Sequence, residues 1–427
     1  MTVDELIDNV RNTTLNDTAL LFSPHLYPRW SRLKLNPIPR FLFRVYTPRS
    51  DGFTNETVAS SRDAASELRG SNEDIFATNK LYETAELVAD HLWWTRDQED
   101  QRRRDNLVSW SSSMLFLIRY MFYRHYDSAD GSPLGDIHLL VVDTEAFPPH
   151  TFIRDSDLIQ AFERFDNRKQ NGLRSLASLR TTGHYFGEYL SQGSLQIDSK
   201  CSTISAHTMV SKGLLDLNDI FRGAYEGMDR NKWVMPVQAV RDTIKAAPKT
   251  QPASLALLDR VFDIALEFGE AWRLPVAVHL LALLPCGLNL REVYERLLVH
   301  LNPTSEQIHA SLYKLKITRP IGDEFNRCAT YWQTIHAPHV MSELTRGQSI
   351  MKALFVTNIR GGYSSRSYAT NNLTLTIELI TQARTVLNSA MCVVSQYPGE
   401  YSTVADTVRR STKILLAEES RLGAMLA

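Results

Sequence analysis

The spacing of apolar residues changes character near residue 250. Before that point, short apolar runs of strand length alternate with helical patterns. Phe41-Leu-Phe-Arg-Val-Tyr46 reads as a strand entered through Pro37 and Pro39. Leu107, Val108 and Trp110 read as a second strand, and from Met114 the period turns helical through Leu115, Ile118, Met121 and Phe122. Ile137-His-Leu-Leu-Val-Val142 is a buried strand, and Gly187 to Ile197 is a further strand-like run. Helices are expected over Asn79–Arg104, with Leu81, Ala85, Val88 and Leu92 on one face, over Ile153–Phe165, and over His207–Ala224. Thr47–Ser61 and Asp127–Gly135 are rich in turn residues and read as loops.

After Lys245-Ala-Ala-Pro-Lys-Thr-Gln-Pro252, which reads as a linker, the helical period dominates. It runs through Leu255, Leu258, Phe262, Ala265, Leu266 and Trp272, then Ile308, Leu312 and Leu315, then Leu373, Ile377, Ile380, Leu387, Met391 and Val394. Asn358–Asn372 reads as a loop between helices. The expected organisation is a helical and irregular lead-in over 1–35, an α+β domain over 36–215, a helix and linker over 216–252, and an all-α domain over 253–427. The α+β part is expected to rest on small, mostly antiparallel sheets.

Composition narrows the function classes. A chain of 427 residues with 43% hydrophobic and 22% charged residues has the make-up of a globular protein with ample core. The net charge of −1 gives no global field toward nucleic acid or an anionic membrane. Arg102, Arg103 and Arg104 follow Asp97, Glu99 and Asp100, a mixture of signs typical of a solvated helix end. The cysteines at 201, 286, 328 and 392 lack zinc-ligand or redox-motif spacing and are expected to be reduced thiols, and no metal site is expected. The acidic N-terminus lacks the pattern of a signal peptide. The apolar stretch Leu274–Leu284 is too short to span a bilayer. An intracellular, cytoplasmic protein without a membrane span is therefore expected.

Three stretches carry candidate chemistry. Arg44 lies inside the first strand, Ser109-Trp-Ser111 lies at a strand-to-helix junction, and Glu188 opens Glu-Tyr-Leu-Ser-Gln-Gly-Ser-Leu. Each has a plain structural reading: an edge-strand arginine, a serine helix cap, a solvated strand start. Tyr185 and Tyr189 fit a core or a pocket wall, and His184 a surface position. Phosphate-loop, dinucleotide-fingerprint, zinc-protease and nucleophile-elbow motifs are absent from the sequence.

Arginine, Ser-x-Ser and glutamate, each on a strand and in that order, resemble the arginine–serine–glutamate signature of ADP-ribosyltransferase folds. The stretches are also similar to a fungal family of uncharacterised proteins with such a domain. The resemblance covers about residues 36–215. It implies an enzyme that uses NAD as its substrate and breaks the nicotinamide–ribose bond through a transition state of oxocarbenium character. It assigns Glu188 to stabilising the developing positive charge and Ser109 to orienting that carboxylate. Ser111 would lie on the nicotinamide side, and Arg44 would bind a phosphate through its planar fork of donors. Two departures stand out. Position 186 is Phe, where arginine- and asparagine-modifying relatives carry an acid or amide. Trp110 stands where Thr is common. They put transfer to protein arginine in doubt and leave two readings: an NAD-cleaving enzyme, or a catalytically inactive scaffold of the same fold. In either case the helical C-terminal half would offer a surface to a protein partner.

Overall fold

The computed structural model describes residues 19–94, 104–127, 129–180, 185–228, 234–246 and 252–301, with seven single positions beyond. Nine strands lie between residues 41 and 205: β1 (Phe41–Tyr46), β2 (Phe53–Thr54), β3 (Val58–Ser60), β4 (Leu107–Ser111), β5 (His138–Asp143), β6 (Ile153–Arg154), β7 (Glu188–Gln192), β8 (Ser194–Gln196) and β9 (Cys201–Ser205). Six form one sheet in the order β6-β7-β4-β1-β5-β9, and three form a second in the order β2-β3-β8. Every strand pairing within these two sheets is antiparallel. The α+β class is therefore realised with two antiparallel sheets.

The helices in chain order are α1 (Arg62–Ala65), α2 (Leu81–Leu92), α3 (Met114–Tyr126), α4 (Asp155–Phe162), α5 (Leu173–Arg180), α6 (Ala206–Ser211), α7 (Asp219–Tyr225), α8 (Val234–Ala246), α9 (Leu255–Leu266), α10 (Glu270–Leu281) and α11 (Leu290–Leu301). The first compact unit takes in residues 1–352 and the second 353–427. From residue 253 onward the described elements are all helical, α9 to α11. The expected helix after Pro303, the Asn358–Asn372 loop and the Leu373–Val394 helix lie outside the described residues.

Two apolar clusters cover opposite faces of the large sheet. On one, Leu107, Ile153 and Leu190 pack with Ala85, Val88, Leu158 and Phe162 from α2 and α4. On the other, Leu42, Trp110, Leu140 and Tyr189 pack against Ala59, Leu195 and Ile197 of the second sheet region. Strand alternation sends Trp110 and Tyr189, which are cross-strand partners, into this second cluster. Trp110 also donates its indole N–H to Ser191 Oγ at 2.9 Å.

Several local expectations change. Thr47–Ser61, expected as loop, contains β2 and β3; two strands of two and three residues carry too few alternating positions to be read. The run 187–197 is two strands, not one. Gly193, at φ +67, turns the chain from the large sheet into the small one. A Cβ there would stand 2.9 Å from the Ser71 carbonyl, so only glycine fits the corner. The helix expected over 153–165 begins with the short strand β6 and is helical from Asp155 to Phe162. The one expected over 207–224 is broken at Gly213, φ +100, into α6 and α7 with a 3-10 turn between.

Candidate functional site

β4 and β7 are neighbours, paired over five residues with Ser111 opposite Glu188 and Ser109 opposite Leu190. Residues two apart on a strand share a face. Ser109, Ser111 and Glu188 therefore stand on one face, opposite to Trp110. The backbone aims Glu188 through Gly187, which sits at φ +63 and accepts the Ser112 amide at 2.9 Å.

The structure brings Ser109 and Glu188 into direct contact: Ser109 Oγ donates to Glu188 Oε1 at 2.9 Å. The other carboxylate oxygen accepts from Arg180 Nη2 at 2.8 Å. Arg180 Nε donates to the fully buried Asp155 at 2.6 Å. Arg180 closes α5, and Asp155 opens α4. Glu188 is only 9% exposed. Burial raises its carboxyl above the ordinary range, and Asp155 adds to this; Arg180, His91 and the Ser109 hydroxyl pull the other way. Two of the roughly four lone-pair positions of this carboxylate are taken by Ser109 and Arg180.

Arg44 meets the Ser109 main chain from the other face of the sheet. On β1 it pairs with Leu140, so alternation starts its side chain on the face of Leu42 and Tyr46, opposite that of Glu188. β1 meets β4 at one register pair, Phe43↔Ser111, and pairs over six residues with β5. The guanidinium donates to the Ser109 main-chain oxygen at 2.7 Å and to Thr54 Oγ1 at 3.2 Å. Both acceptors are uncharged. Among the described residues no carboxylate pairs with Arg44. Burial lowers its pKa to about 10, with Tyr120, Asp105 and Asp51 opposing and the Arg124 charge assisting the fall. Arg44 is thus a cation at neutral pH, half-buried and held by neutral oxygens. That is a favourable place for an anion.

Ser111 has a different position from the one expected. It is buried at 3% exposure, and its hydroxyl donates to the Phe186 carbonyl at 2.7 Å while accepting the Ser113 amide at 3.0 Å. It ties the strand-to-helix junction to the segment that precedes Glu188. Ser113 is the helix cap, accepting the Phe116 amide at 3.2 Å. Phe186 is buried, stacked on Phe116 at 4.9 Å, with the Arg241 guanidinium 5.6 Å over its ring. Tyr185 and Tyr189 are buried as core; the Tyr185 hydroxyl accepts from Arg154 Nε at 2.9 Å and its ring lies against that guanidinium, while Tyr189 is the cross-strand partner of Arg154. His184 lies outside the described residues.

Besides Arg180 and Asp155, two further neighbours of the site, His91 and Asp105, were not readable from the sequence. His91, near the end of α2, places Nε2 2.8 Å from Ser109 Oγ. Its Nδ1 lies 2.8 Å from one Asp105 oxygen and 3.0 Å from the other. Burial alone would lower the His91 pKa; Asp105 and then Glu188 overcome this and raise it, against the Arg44 charge. Asp105–His91–Ser109 has the bond order of an activated serine. The Ser109 hydroxyl is also placed to donate to the Glu188 carboxylate. Ser109 also lies within an inner strand of the sheet, without the sharp turn that supplies amides to an oxyanion.

Among the described residues no group of three His, Cys, Asp or Glu side chains is placed to hold a metal, and no helix is long and apolar enough to cross a membrane. No curated protein and no solved structure matches the chain. Residues 37–205 match a family model described as "Domain of unknown function (DUF7587)". That span begins four residues before β1 and ends on the last residue of β9, so it contains all nine strands together with Arg44, His91, Ser109, Ser111 and Glu188.

Proposed function

We propose that the protein cleaves the nicotinamide–ribose bond of NAD, as an ADP-ribosyltransferase-like enzyme or an NAD glycohydrolase. The observation behind this reading is the hydrogen bond between Ser109 and Glu188 on neighbouring strands, with the Arg44 guanidinium on the Ser109 main-chain oxygen. Glu188, oriented by Ser109, is suited to hold a ribose hydroxyl and stabilise positive charge developing on the sugar. The Arg44 guanidinium, facing neutral oxygens, is suited to a phosphate of the dinucleotide. Phe186, stacked on Phe116 beneath Arg241, offers no polar group to a guanidinium or amide acceptor. Water is therefore the favoured acceptor, which makes the glycohydrolase the better of the two.

One observation favours a second reading, a scaffold that keeps the fold without the chemistry. Arg180 already pairs with Glu188 at 2.8 Å and offsets its charge. A carboxylate with a resident cation stabilises a second cation less well.

Nicotinamide release from NAD and NAD affinity, measured on the wild type, Glu188→Gln and Arg44→Ala, separate the two. In the enzyme reading Glu188→Gln keeps NAD affinity and lowers the rate by about 10²–10³-fold, the usual loss for one electrostatic stabiliser. Arg44→Ala weakens NAD binding with little change in maximal rate, because a phosphate contact acts equally in ground and transition states. A wild type that binds NAD without cleaving it supports the scaffold. A wild type that does neither ends the enzyme reading and leaves the scaffold standing.

A further inference from the structure

His91 and Asp105 have no place in the chemistry so far, yet they stand directly behind Ser109. A serine hydroxyl has one proton. Ser109 Oγ has two neighbours able to accept it, Glu188 Oε1 at 2.9 Å and His91 Nε2 at 2.8 Å. The state of His91 decides where the proton goes. When His91 is cationic, Nδ1–H donates to Asp105 and Nε2–H donates to Ser109 Oγ. The serine proton is then committed to Glu188. When His91 is neutral and Asp105 keeps Nδ1–H, Nε2 becomes an acceptor and competes with Glu188 for that proton. Glu188 is then held firmly by Arg180 alone.

We propose that His91 and Asp105 are positioning residues that make the orientation of Glu188 depend on protonation of His91. The regulation rests on the NAD-cleaving reading of the site; the proton coupling itself does not. The charged groups that face His91 come from four directions. Asp105 precedes β4, Glu188 opens β7 with Arg180 of α5 behind it, and Arg44 projects from β1. On its own helix the neighbouring Asp90 is engaged by Arg168, at 2.8 Å from Nη2. Asp105 and Glu188 favour the cation and Arg44 opposes it, so the coupling runs through groups on three separate elements.

Two measurements test this. The first is an NMR titration of the His91 ring in the full chain, assigned by difference with His91→Gln. The wild-type ring is expected to titrate above the free-imidazole value of about 6.5. Its pKa falls in Asp105→Asn and falls in Glu188→Gln. A ring that titrates at or below the free value, or one unmoved by both substitutions, overturns the proposal. The titration decides the coupling whether or not NAD is cleaved, so an inactive wild type would count against the NAD reading alone.

The second measurement is the pH profile of nicotinamide release. The wild type is expected to lose rate as pH rises through the His91 pKa. His91→Gln keeps an N–H toward Ser109 and cannot titrate, so its profile loses that limb while most of the rate at low pH remains. His91→Ala lowers the rate at every pH by about 10–100-fold, the range for a side chain that orients a reactive one from behind. An unchanged alkaline limb in His91→Gln overturns the regulatory role.

Discussion

Ser109→Ala is the substitution on which the site geometry can be weighed most directly. It removes one oxygen, with little change of volume on a strand whose backbone pairing stays intact. That oxygen bridges His91 at 2.8 Å and Glu188 at 2.9 Å, two groups that both carry charge in the arrangement described. A hydrogen bond to a charged group contributes about 1.5–3 kcal/mol. Ser109 is half-buried, so the lower end applies, and two bonds at about 1.5 kcal/mol each predict a loss of about 3 kcal/mol. Equilibrium urea unfolding followed by tryptophan fluorescence measures it as a fall in midpoint at constant slope. The comparison that carries the weight is the same substitution in Glu188→Gln. The serine there faces a neutral acceptor worth about 0.5–1.5 kcal/mol, so the cost of removing it shrinks. A coupling energy of about 0.5 kcal/mol or more between the two positions is expected for residues in one network. If Ser109→Ala lies within about 0.5 kcal/mol of the wild type, or if the two effects simply add, the bridging hydroxyl is not there and the argument for Glu188 fails.

Three further outcomes follow from the structure. Trp110→Ala, which empties a position 2% exposed between the sheets and leaves Ser191 Oγ without its donor, should cost about 3–5 kcal/mol and is checked by the same urea titration. His91 binds its proton more tightly folded than unfolded, so its contribution to stability is complete below about pH 6.5 and is lost as pH rises through the folded-state pKa. The stability difference between wild type and His91→Gln should therefore narrow between pH 6 and alkaline pH, and a difference independent of pH would contradict the raised value. Burial, with Glu56 and Asp198 nearby, pushes the Cys201 thiol up to about 11. Maleimide labelling of Cys201 at pH 8, read by peptide mass spectrometry, should be slower than for the unfolded chain by on the order of 100-fold.

The sequence by itself determined the elements whose signal is local. β1 coincides with the apolar run Phe41–Tyr46, and β5 lies within one residue of the run at 137–142. The switch from strand to helix at Ser113 follows from a serine cap placed just before a 3.6-residue period. The order of Arg44, Ser109 and Glu188 along the chain was also readable, since each sits in a strand with its own pattern. The tertiary structure decided what those residues touch. Register sets Ser111 opposite Glu188, and a shift of one residue would have turned Ser109 to the other face. Such a register comes from packing against helices distant in sequence, not from the strand itself. The partners that complete the site were hidden for the same reason. His91 and Arg180 reach it from two helices, and Asp155 from a third, through contacts that carry no spacing signal. Ser111 shows the converse. The same hydroxyl that could have faced a ligand bonds the Phe186 carbonyl, a choice set by where β7 begins and not by the Ser-x-Ser motif.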